Sequence, residues 1–210
     1  PPAKLGLQAH RNRRMPGSMY SGNLPRSAKT GELWQDTRRW KKVAWRSEET
    51  RKERKELERL LDHIRSASVR DFVRFARQEI DLRAFATFDA LDVIFGVEEH
   101  DFRQNHKLYY DPYKGRWEPV AWDLRGFHHD PLFNLVDNPL LLRLKMVPGY
   151  LSLRNRILYN LLVSDCRVSA VRNRGMKLLR KLAPELVADP FWAAYKQLPR
   201  VDGFHRRMMR

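Results

Sequence analysis

The 210-residue chain has one cysteine, Cys166. A single thiol excludes an internal disulfide framework and any zinc site built on several cysteines. Long apolar runs are also lacking, and none approaches the roughly 20 residues that span a bilayer. The opening "PPAKLGLQAHRNRRMPG" has no apolar segment of the kind a signal peptide carries. A first residue that is Pro rather than Met leads us to expect a fragment. Glycine is scarce and nowhere clustered, and the chain has no internal repeat or low-complexity block. His128 and His129 are adjacent, and neighbouring side chains rarely reach one ion, so they read as loop.

What is present is apolar mass and positive charge. Hydrophobic residues make up 42% of the chain, enough for a core and too many for wholesale disorder. Net charge is +16, and Arg supplies 29 of the 41 basic residues. Such a balance suits a polyanion, either nucleic acid, a phosphorylated ligand or an acidic protein, or reflects an Arg-rich composition alone. The charge is spread along the chain rather than gathered in a tail, which argues against a nucleic-acid arm.

Periodicity predicts a mainly helical α+β chain. Residues 1–32 read as loop or the remnant of another lobe, and 33–46, with Trp34, Trp40 and Trp45, as a short helix or strand. The three Trp are expected to pack a junction, and Arg38, Arg39, Lys41 and Lys42 to form a solvated face. Residues 47–66 read as a helix capped by Ser47, with Leu57, Leu60, Leu61 and Ile64 as its stripe. Ser68 opens a second helix, with Asp71 three residues later. "DLRAFATFDALDVIFG" reads as a central buried helix that closes on Gly96. Asn138 and Pro139 start another. "LSLRNRILYNLLV" and "SAVRNRGMKLLRKLAPEL" read as two amphipathic helices, and "DPFWAAYKQL" as a short last one.

One β signal stands among the helices. "KLYY" (107–110) and "EPVAW" (118–122) are rich in β-formers, and "DPYKG" between them has turn residues in order. This predicts a hairpin across 107–122. Asp101 and Asn105 precede it and Asp123 follows it. Acids and an amide around a hairpin suit a magnesium–phosphate site, where hard oxygen ligands and a carboxylate near the attacking hydroxyl carry the chemistry. Asp and Asn also flank turns for purely structural reasons.

"NHKLYYDPYKGRWEPVAWDLRG" resembles the signature of the spore-coat-protein-H (CotH) kinase family. Gly96, Asp101, Asn105, Leu108, Tyr109, Asp111, Pro112, Gly115, Trp117, Trp122 and Asp123 carry the likeness. The helix before it, the "NPLLLRL" segment after it, and "GNLPR" at Gly22 are similar too, so the likeness runs from about residue 20 to 200. It implies the C-terminal lobe of an atypical protein-kinase-like fold over 33–210, with 1–32 as hinge or N-terminal-lobe remnant. It implies transfer of phosphate from ATP, with Mg²⁺, to Ser of a protein substrate. Asp101 would be the catalytic Asp, and Asn105 and Asp123 the cofactor and metal ligands. Glu98 and Glu99 are alternative acids, since His100 holds the place where the family's Asp usually stands. The family's lysine for the ATP phosphates has no counterpart in a strand pattern, as neither Lys4 nor Lys29 lies in one. A spore-coat or cell-envelope setting would follow by resemblance. A pseudokinase scaffold and a basic nucleic-acid-binding helical domain are the alternative functions.

Overall fold

The computed structural model describes residues 17–24, 32–97, 100–101, 103, 105–122 and 138–188. The chain divides into two compact units, residues 1–158 and 159–210. In the first, the elements run β1 (Ser18–Gly22), α1 (Glu32–Gln35), β2 (Trp40–Ala44), α2 (Lys55–Ser66), α3 (Val69–Glu79), α4 (Leu82–Phe95), β3 (His106–Asp111), β4 (Arg116–Pro119) and α5 (Pro139–Lys145). Helix α6 (Tyr150–Val163) follows, then α7 (Val168–Ala188). The result is a mixed, mainly helical α+β architecture. No described helix is long and apolar enough to cross a membrane.

The hairpin forms where the sequence places it. Leu108 pairs with Pro119 and Asp111 with Arg116. Asp111 builds the turn with its own side chain, whose Oδ1 accepts from the Tyr113 N–H at 2.9 Å, while its carbonyl accepts from the Gly115 N–H at 2.9 Å. Gly115 supplies the positive φ, 64°, that closes the turn. Strand β4 ends at Pro119, earlier than expected, although the Val120 N–H still bonds the Lys107 carbonyl at 2.9 Å.

Two further strands correct the expectation of a lone hairpin. Strand β1 lies between β2 and β3, giving an antiparallel sheet in the order β2-β1-β3-β4. The reading of residues 1–32 as loop therefore fails at 18–22. "SMYSG" is too short and mixed to announce a strand, and its partners are distant in sequence. Gly22, read as a hinge, is the last residue of β1, opposite Trp40 and His106.

Helix caps follow local rules. Ser68 Oγ accepts from the Asp71 N–H at 3.1 Å, and Asn138 Oδ1 from the Leu141 N–H at 3.1 Å. Gly96 ends α4 in the left-handed conformation at φ 58°. Ser68→Ala should cost about 1 kcal/mol of stability, measurable by urea denaturation. Ser47 does not cap a helix. A short 3₁₀ turn occupies Glu49–Arg51, and α2 begins only at Lys55.

The core of the first unit gathers Leu57, Leu60 and Leu61 of α2, Phe72 and Phe75 of α3, Phe85 of α4, and Leu140 and Leu144 of α5 against Tyr20, Leu108 and Trp117 of the sheet. Trp34 and Trp40 meet edge to face at 5.3 Å inside it, while Trp45 is half-buried and donates to Glu48. Helix α4 is less buried than expected, with Phe95 at its exposed end. In the second unit, α7 buries none of its described side chains. Residues 189–198, read as a last helix, lie outside the described residues.

Candidate functional site

The loop before the hairpin is braced at almost every described position. Asn105 takes the left-handed conformation at φ 61° and turns the chain into β3. Among non-glycine residues, Asn is one of the few that adopt it readily. His106 follows at the head of the strand, buried against Trp34 at 4.9 Å and Trp40 at 6.1 Å. Its Nε2 faces the Asp101 carbonyl. A carbonyl only accepts, so Nε2 carries the proton. The loop thus closes on itself from 101 to 106, and the Leu24 N–H ties it to the segment after β1 through the Arg103 carbonyl at 2.9 Å.

Asp101 is buried rather than open to solvent. Its Oδ1 accepts from the Arg103 N–H at 2.8 Å, and its Oδ2 from Nε at 2.9 Å and Nη2 at 2.8 Å. The cause is local: an acid two residues before an Arg can bind both the backbone and the guanidinium of that residue.

His100 is fully buried. Its Nδ1 sits 2.9 and 3.0 Å from the two carboxylate oxygens of Asp92, and its Nε2 2.8 Å from the Trp122 carbonyl. The Asn138 side-chain N–H donates to the His100 carbonyl at 3.1 Å. Burial raises the Asp92 carboxyl above its ordinary range, opposed by His100. Asp89, one turn earlier on the same face of α4, is raised by the same desolvation, opposed by Lys145, Arg154 and Tyr150. Sequence reading missed Asp89 and Asp92. Two acids at helical spacing on a mostly apolar helix were the available signal.

The structure therefore brings Asp101 and Asn105 into one loop at the head of the hairpin. The hairpin register and the His100–Trp122 bond return the chain to that loop at residue 122. Asp123, Glu98 and Glu99 lie outside the described residues, as do His128, His129, Lys4 and Lys29. Among the described residues no three His, Cys, Asp or Glu side chains cluster as a metal site would.

Lys42 was expected on a solvated face and is buried instead. Its Nζ bonds the Thr50 carbonyl at 2.9 Å, the Glu53 carbonyl at 2.7 Å and Glu56 Oε1 at 3.5 Å. An ammonium has three N–H bonds, so this one is committed to holding the 50–56 segment against β2. Burial lowers its pKa, and Glu56 opposes the shift. Lys41, next to it on the other face of the strand, is exposed.

The buried imidazole of His106 gives the site a pH dependence. Desolvation lowers its pKa from 6.5 to about 4. In the folded chain it stays neutral down to that value, while in the unfolded chain it protonates near 6.5. Above pH 6.5 its contribution to stability is fully present. Between 6.5 and 4 the unfolded state binds the extra proton and stability falls, by roughly 3 kcal/mol in total. Urea titrations of wild type and His106→Asn from pH 7 to 4 should show the wild type losing that much more than the variant. Parallel curves would remove the titration from His106.

Compared with known proteins, the chain matches no family model and no curated protein.

Proposed function

We propose that the chain is the hairpin-bearing part of a CotH-like, kinase-type phosphotransferase that acts on Ser of a protein substrate with ATP and Mg²⁺. The observation that supports this most is the return of the chain to one place. Asp101 and Asn105 enter the hairpin together, and its other strand leads back to Trp122, whose carbonyl is bound by the neighbour of Asp101. A base, an amide ligand and the residue before Asp123 thus share one end of one hairpin. Phosphoryl transfer depends chiefly on such positioning.

In this reading Asp101 orients the attacking Ser hydroxyl and takes its proton. Arg103 holds the carboxylate in a single orientation, as that task needs. Asn105 and Asp123 offer amide and carboxylate oxygens, the hard donors that Mg²⁺ prefers, so the residue types fit the ion. The ion, when bound, neutralises charge on the phosphates. The strand lysine that is paired with a helix glutamate, Lys42 with Glu56, has its donors bound to other groups. Lys42 is therefore not assigned as the lysine that contacts phosphate.

One observation favours a second reading. Arg103 fills three of the roughly four acceptor positions of the proposed base, which leaves little room for a substrate hydroxyl. A pseudokinase that binds partners without turnover would tolerate this. Mg²⁺-dependent transfer of labelled γ-phosphate to Ser-containing proteins by the full-length protein separates the two. Transfer supports the enzyme, and its absence across Ser-rich substrates supports the scaffold.

A further inference from the structure

Residue 100 is held more firmly than a connecting loop needs. Its side chain and carbonyl join three elements: Asp92 of α4, the exit of β4 at Trp122, and the N-cap of α5 at Asn138. The ring also packs on Phe88 at 4.8 Å. Proton counting defines the couple. Nε2 faces a carbonyl and must donate. Nδ1 faces a carboxylate, so a proton must lie between them, on either the ring or the acid. A neutral ring with its Nδ1 lone pair aimed at an ionised carboxylate would bury a repulsive contact and an uncompensated charge. The bridge thus makes the couple net neutral and directional at both ends.

We propose that Asp92 and His100 are a positioning pair, a buried proton-bridged fastener that ties the last turns of α4 to residue 122 and so sets the place of Asp101. The pair acts through its neighbours. His100 has both nitrogens bound inside the protein and touches no reacting atom. The positioning role rests on the phosphotransferase reading, whereas the fastening does not.

Three substitutions in the full-length protein test it. Asp92→Leu removes the acceptor for Nδ1 while keeping the branched shape. His100→Ala removes the ring and serves as the second variant should the first not fold. Asp92→Asn keeps a partner, because its amide N–H can donate to Nδ1 while Nε2–H still bonds Trp122. The measurements are amide hydrogen exchange at residue 118 and across residues 120–122, and steady-state phosphate transfer. Asp92→Leu and His100→Ala should speed exchange at least about tenfold and lower kcat about 10–100-fold, with KM for ATP and substrate little changed. Asp92→Asn should recover most of both. Unchanged exchange in Asp92→Leu and His100→Ala would overturn the fastener. Faster exchange with unchanged kcat would overturn the positioning role. If wild type transfers no phosphate, the enzymatic reading fails by itself, and the exchange comparison still decides whether the pair fastens residue 122.

Discussion

Asp101→Ala and Asp123→Ala in the full-length protein should each reduce phosphate transfer by about 10²–10⁴-fold or more. The two losses have different origins. Asp101 acts on the hydroxyl, so its removal should lower kcat and leave nucleotide affinity nearly unchanged. Asp123 is proposed to hold Mg²⁺, so its removal should also raise the Mg²⁺ concentration that half-saturates the reaction. Asp101→Ala should not leave the fold untouched. Its carboxylate accepts three bonds from Arg103, and losing them strands a partly buried guanidinium, a cost of about 1–3 kcal/mol. Asp101→Asn, which keeps an acceptor for the Arg103 N–H, separates the effects. It should lose less stability than Asp101→Ala, because the Arg103 N–H keeps its acceptor and only the guanidinium meets a donor, and it should still transfer poorly. An Asp101→Asn variant with full transfer would mean that another acid is the base, and Glu98 and Glu99 would be the next to replace. Full transfer by Asp123→Ala would remove Asp123 from the metal site.

Lys42→Met should be among the most destabilising single changes in the first unit, by about 3–5 kcal/mol. The ammonium is buried at the edge of the sheet and binds two carbonyls and Glu56. Met matches the stem but leaves those three acceptors without it, and Glu56 loses its cation. Tyr20, whose hydroxyl donates to Glu56 at 2.8 Å, would still support that carboxylate. The adjacent Lys41→Met is the control, and its exposed side chain should change stability by less than about 0.5 kcal/mol. Adding Glu56→Gln to Lys42→Met should recover part of the loss, because the uncompensated charge is then gone. Urea denaturation of the four proteins reads all of this. Equal effects of Lys41→Met and Lys42→Met would contradict the buried ion pair.

Where a feature depends on atoms within about four residues of each other, the sequence by itself determined it. The Ser68 cap, the Asn138–Pro139 start, the Gly96 stop and the Asp111–Gly115 turn each use one side chain and a nearby N–H or carbonyl. The hairpin over 106–119 and the helices around it follow from such signals joined to apolar spacing. Tertiary structure decided the rest. Strand β1 exists because β2 and β3, from well-separated stretches of the chain, flank it. Helix α2 starts at Lys55 rather than behind Ser47 because the buried Lys42 ammonium takes the carbonyls of Thr50 and Glu53 and bends that charged run away from helix. Identical neighbours such as Lys41 and Lys42 meet opposite fates because a strand alternates its faces and only the assembled sheet says which face is covered. At the candidate site the residue types were legible and their state was not. Asp101 is bound by Arg103, His106 is kept neutral, and His100 is locked to Asp92, because burial sets the cost of each unpaired polar group and burial is a property of the folded chain alone.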